Sequence, residues 1–339
     1  MKIQQKYWGN IEEREVYLFE MENSNGLTVS VTNYGAIIAS IITPNKFGDR
    51  KNIVLGYDSL KEYLSDPFFL GCVVGRVANR IKGGAFSING QFYQLAINEP
   101  SNNCHLHGGY EGFSKKVFTI VDLSSDEHSV FVKMEYISPD MEEGYPGNVT
   151  FSITYTLFDT NDFLIDYHAV TDKPTHFNIT NHSYFNLSGE AIDATQHSLC
   201  INAEQYVEID AHYLPTGKLI DVMGTSNDFR KSRPINEHTT IGEVCSYNEC
   251  FVLNSTNMDT CAAELYNEVS GRKMNIYTTL PGIMFYSGFD LCGRFRPCQG
   301  VCLETQFFPD AANRPEFQST LLQPEEVYRH QTKLKFSTV

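Results

Sequence analysis

The chain has 339 residues, long enough for two ordinary domains or for one large all-β domain. Its 26 Lys and Arg against 41 Asp and Glu give a formal net charge of −15, the wrong sign for holding nucleic acid or an anionic membrane by charge. An apolar fraction of 42% with 20% charged residues excludes a disordered, charge-dominated chain, and 23 Phe with 19 Tyr favour strands.

The N-terminal segment Met1 to Trp8 has no apolar run of the kind that targets export. No later stretch approaches the roughly 18 apolar residues of a membrane-spanning helix. The expectation is a cytoplasmic protein with no membrane partner. Leu60 to Leu64 offers a turn or two of helix. Between the aromatic-rich runs of Phe86 to Tyr93, Asn89-Gly90 predicts a tight hairpin with a type I′ turn.

Val130, Val132, Met134 and Tyr136 alternate with Lys133 and Glu135, the two-residue period of a strand with one wet face. Val149 to Leu157 and Phe163 to Ala169 repeat that pattern, so three strands follow one another closely. Pro324 to Val327 is a second short helical candidate. With no linker, repeat or long helix, the reading is a single domain over residues 1–339, built as a large antiparallel β-sandwich. The nine cysteines are odd in number and contain no Cys-x-x-Cys pair, which points to buried free thiols rather than disulfides or a structural zinc site.

Four segments carry candidate chemistry. In Cys104-His105-Leu106-His107-Gly108-Gly109, two histidines two residues apart would share one face of a strand, with glycines permitting close approach of a ligand. Gly75-Arg76-Val77-Ala78-Asn79-Arg80 holds two guanidinium groups, suited to the oxygens of a neutral or anionic ligand or to structural ion pairs. His182 lies in an apolar, β-prone stretch, as a satisfied core residue or a site residue. Glu304 interrupts the apolar run Val301 to Phe308. On a buried strand it must be paired, raised in pKa or aimed into a polar pocket; on an edge strand it would simply face water. A His acid, a Glu base and an Arg with amide neighbours suit proton transfer at a polyol.

Read together, these phrases resemble the aldose 1-epimerase (galactose mutarotase) family along almost the whole chain. The matching phrases are Asn33-Tyr34-Gly35-Ala36, Val54-Leu55-Gly56-Tyr57, Gly75 to Ile81, Leu106-His107-Gly108-Gly109 and Glu143-Gly144-Tyr145-Pro146-Gly147. They continue in Thr180 to Leu187, Leu214-Pro215-Thr216-Gly217, Leu303-Glu304-Thr305-Gln306 and Pro309-Asp310-Ala311. The resemblance implies a β-supersandwich and an isomerase that interconverts the α and β anomers of a free hexose without metal or organic cofactor. It implies Glu304 as general base on the C1 hydroxyl, His182 as general acid at the ring oxygen and His107 as an assistant there. By the same resemblance Asn79 and Arg80 bind sugar hydroxyls.

Two positions depart from the family pattern. Asn248, in Tyr247-Asn248-Glu249-Cys250-Phe251, stands where the family usually has a sugar-binding Asp; Met284 stands where many members have a sugar-contacting Gln. An amide still accepts a hydrogen bond but loses charge assistance. These departures keep open a sugar-binding protein that lost catalysis or changed its specificity. Action on a sugar phosphate is a further reading of the same fold. A metal-dependent, cupin-like enzyme is a separate alternative, resting on the spacing of His105, His107 and Glu111.

Overall fold

The alternating strands pair in sequence to start a nine-stranded antiparallel sheet. The computed structural model describes residues 1–240 and 243–339. Ser129–Ser138, Val149–Phe158 and Asp162–Thr171 lie side by side, with Val130, Val132, Met134, Phe151, Ile153 and Phe163 all buried on the inner face. The C-terminal strand Tyr328–Thr338 continues the sheet from Asp162–Thr171 and links it to Arg272–Thr278.

A six-stranded antiparallel sheet carries the polar clusters. Its order is Tyr184–Phe185, Val301–Gln306, Gly282–Tyr286, Asn248–Leu253, Ala203–Ile209 and Pro215–Asp221. A five-stranded meander runs from Lys2–Ile11 to Arg50–Asn52. One apolar cluster, from Phe19 to Phe336, takes side chains from all three sheets. This is the layered β architecture that the alternation predicts.

The hairpin expectation holds in detail: Ala85–Ile88 pairs with Gln91–Gln94, and both Asn89 (φ 52°) and Gly90 (φ 81°) take the left-handed conformation of a type I′ turn. Leu60–Tyr63 is a single helical turn. Pro324 to Val327 forms a turn and no helix: it is a short connection between Leu321–Leu322 and Tyr328–Thr338. No disulfide links the nine cysteines; six are buried, while Cys200 and Cys261 are half-buried and Cys292 is exposed. No helix among the described residues is long and apolar enough to cross a membrane.

Register in the six-stranded sheet positions the site. Residues paired across strands share a face. One row therefore joins Cys250, Met284 and Glu304, and the next joins Asn248, Tyr286, Cys302 and Tyr184. The intervening residues Phe251, Ile283, Phe285 and Leu303 point the other way, into the core. The apolar face anchors the sheet; on the opposite face Cys250 and Met284 pack with Phe308 in a small apolar cluster, and Asn248, Tyr286 and Glu304 line a pocket.

Candidate active site

Glu304 lies on an interior strand, not on an edge. Val301–Gln306 is flanked on both sides and buried at every residue. Glu304 is 3% exposed, and its Oε2 has no hydrogen-bond partner among the described residues. Burial raises its pKa from 4.5 to about 8, a shift that the positive charge of Arg80 partly opposes.

His182 faces it. The His182 Nε2 is 3.7 Å from Glu304 Oε1, and the Nδ1 is 3.6 Å from Cys302 Sγ. The backbone is strapped in place: the His182 N–H donates to the Cys72 carbonyl and its own carbonyl accepts from Gly71 N–H, each at 2.9 Å. Burial lowers the imidazole to a pKa of about 4, so it is neutral near pH 7.

His107 follows the strand Cys104–Leu106 and adopts a left-handed backbone (φ 52°), as does Asn79 (φ 62°). The two are tied reciprocally. His107 N–H donates to the Asn79 carbonyl at 3.0 Å, and Asn79 N–H donates to His107 Nδ1 at 3.2 Å. With Nδ1 accepting, the neutral ring carries its proton on Nε2; burial, His182 and Arg80 all hold its pKa well below 6.5. Gly108 (φ 84°) makes this corner possible, because a Cβ there would lie 1.8 Å from the Gly75 carbonyl oxygen. The ring of His107 meets His182 at 5.2 Å, nearly perpendicular, and Phe69 packs against both.

Arg80 is held by a two-pronged bond to Glu99, with Nε to Oε2 and Nη2 to Oε1 both 2.7 Å, and its guanidinium lies 5.1 Å from the centre of the Tyr213 ring. Asn79, Arg80, His107, His182, Asn248, Met284 and Glu304, the seven residues singled out in the sequence, all line one cavity of about 520 Å³. That volume suits a monosaccharide-sized ligand. Among the described residues, His182, Cys302 and Glu304 also offer ligand atoms within 4.8 Å of one another, the one such cluster of metal-type donors.

Several sequence expectations are corrected here. His105 and His107 do not share a face: the strand ends at Leu106, and His105 turns inward, with Nδ1 bonded to the Ala96 carbonyl and its ring against Tyr145. Glu111 is exposed beside Lys115, so the spacing that suggested a cupin-like metal site does not gather its residues. Arg76 does not reach the pocket. Its guanidinium is buried and bonded to Ser138 Oγ and to the carbonyls of Ser138, Pro139, Tyr145 and Pro146. It ties its own segment to the two ends of the connection between Ser129–Ser138 and Val149–Phe158.

With this geometry in place, comparison with known proteins is decisive. Residues 17–335 match the family profile described as aldose 1-epimerase. The chain belongs to the aldose 1-epimerase family. It is 38% identical to the galactose mutarotase of Homo sapiens over 323 residues, covering 93% of this chain and 92% of the relative. It is 34% identical to the aldose 1-epimerase of Escherichia coli K12 over 333 residues, covering 94% of each. The solved structure of galactose 1-epimerase from Lactobacillus acidophilus superposes with a TM-score of 0.88 at 29% identity, covering 99% of both chains.

In this aldose 1-epimerase family chain, sequence reasoning missed part of the pocket wall. Phe69, Glu99, Tyr213 and Asp290 line it from loops and turns. Tyr213 directly precedes the matched phrase Leu214-Pro215-Thr216-Gly217, which could have signalled it. Phe69 had no signal beyond being one of an aromatic pair. What the arrangement offers is a carboxyl group and an imidazole facing one another in one pocket, ringed by aromatic surfaces that fit the apolar faces of a sugar ring.

Proposed function

We propose that this chain is an aldose 1-epimerase acting on a free hexose such as galactose or glucose, with Glu304 and His182 as its acid–base pair. The observation that carries the reading is the 3.7 Å approach of Glu304 Oε1 to His182 Nε2 inside the buried pocket. Burial pushes the carboxyl up and the imidazole down, so between about pH 4 and about pH 8 the pair holds one proton, resting on Glu304. Passing that proton to His182 creates a carboxylate and an imidazolium, a base and an acid side by side.

With a sugar bound, Glu304 removes the proton of the C1 hydroxyl while His182 Nε2 delivers its proton to the ring oxygen. The C1–O5 bond breaks, giving the open aldehyde, and the pair returns to a protonated Glu304 and a neutral His182. Rotation about C1–C2 presents the other aldehyde face, and the reverse transfers close the ring as the second anomer. Each positioned group contributes about 10²–10⁴-fold. His107, with its proton on Nε2, supports the ring oxygen; Asn79 and Arg80 hold hydroxyls, and Asn248 and Met284 shape the remaining wall. The chain acts as one domain over residues 1–339, a reading supported by the apolar cluster that runs from Phe19 to Phe336.

Polarimetry of freshly dissolved α-glucose and α-galactose tests this. Accelerated relaxation that disappears in Glu304→Gln supports the reading. No acceleration of either sugar, or an unimpaired Glu304→Gln protein, overturns it.

A further inference from the structure

Cys302 lies two residues before Glu304 on the same strand, and therefore on the same face of the sheet. It is completely buried, and its Sγ sits 3.6 Å from His182 Nδ1. The two ring nitrogens thus face different groups: Nδ1 meets a thiol, while Nε2 meets the Glu304 carboxyl. A neutral imidazole carries one proton, and which nitrogen holds it decides whether the ring can take up and release a proton at the pocket.

We propose that Cys302 is a positioning residue for His182: its sulfur accepts a hydrogen bond from Nδ1–H, fixing the tautomer that leaves Nε2 bare toward Glu304 and the sugar. The inference rests on the acid–base assignment above and extends it to a residue behind the reacting groups. Nδ1 then keeps its proton through the whole cycle, and Nε2 alone exchanges one. The sulfur is a weak, uncharged acceptor. It orients the ring without the stabilisation that a carboxylate at this place would give the imidazolium, so His182 stays a strong proton donor once charged. Burial keeps the thiol protonated, raising it well above its ordinary value. The second buried thiol nearby, on Cys72, is directed elsewhere, donating to the Phe69 carbonyl at 3.2 Å.

The test is ¹⁵N NMR of histidine-labelled native protein without sugar, with His182 assigned by its loss in His182→Gln. The expected result is a protonated Nδ1 and an unprotonated Nε2. A proton on Nε2 overturns the proposal, and this readout requires neither catalysis nor a variant of Cys302.

In kinetics, Cys302→Ala is expected to lose on the order of tenfold in kcat with KM changed less than about twofold, and to show mixed His182 tautomers. Cys302→Ser restores the tautomer, and Cys72→Ala keeps it. Unchanged tautomer and kcat in Cys302→Ala likewise overturn the proposal. If the native protein accelerates no aldose, the acid–base assignment fails, while the nitrogen measurement still decides whether the thiol orients the ring.

Discussion

Met284 stands directly opposite Glu304 across adjacent strands, so a thioether adjoins the carboxyl whose Oε2 has no partner. An amide at this position would supply the missing donor. Met284→Gln is expected to stabilise the carboxylate and lower the Glu304 pKa below about 8. The alkaline limb of the pH–rate profile then moves to lower pH, as polarimetry over a pH series will show.

For the native protein, the active ionisation is the pair holding one proton. kcat/KM is expected to be level through neutral pH and to fall as pH rises through about 8, where Glu304 loses that proton. A rate that climbs steadily across this region would show that the imidazolium has no part in the step.

Glu304→Gln separates activity from stability. The folded pKa of about 8 lies above the ordinary 4.5, so the folded state binds the proton more tightly and stability falls as pH rises from 4.5 to 8. The amide removes that cost. Its melting temperature should exceed the native value at alkaline pH and converge with it below about pH 4.5, while epimerisation drops by about 10²–10⁴-fold.

His197 is fully buried, and burial lowers its pKa to about 4, a shift that the nearby Ala194 backbone partly opposes. The unfolded chain takes up a proton below about 6.5 and the folded chain does not, so stability is lost as pH falls from 6.5 towards 4. His197→Leu should flatten this acid dependence in thermal unfolding without changing turnover. A steeper acid loss in the variant would contradict the assignment.

The two arginines of the same phrase should respond differently. Arg76→Lys loses most of five hydrogen bonds to the connection from Ser138 to Pro146, and is expected to cost about 2–4 kcal/mol in denaturant unfolding with sugar KM unchanged. Glu99→Gln leaves the fold intact but loosens Arg80, raising KM by about fivefold through loss of a charge-assisted bond.

Alternation along Val149–Phe158 and its neighbours was enough to read the sheet, because a two-residue period ties each side chain to a face wherever one face is buried. The pocket was legible where its residues lie in distinctive phrases, as with Glu304, His182 and Arg80. The orientation of His105 was not, since it depends on a strand that stops one residue before His107 turns left-handed. Nor could the chain order reveal that Phe69 reaches His107, or that Cys302 stands behind His182. Those contacts are made between segments more than thirty residues apart in sequence, and local pattern carries no record of them.

The Arg80–Glu99 pair has a further consequence for selectivity. The guanidinium that would otherwise attract anions has its charge already balanced, and Asp290 adds a carboxylate to the same wall. Among the described residues of the lining, the one Arg or Lys that a phosphate or uronate group meets is Arg80, whose charge is shared with Glu99. By charge alone, this lining favours neutral sugars over phosphorylated or oxidised ones.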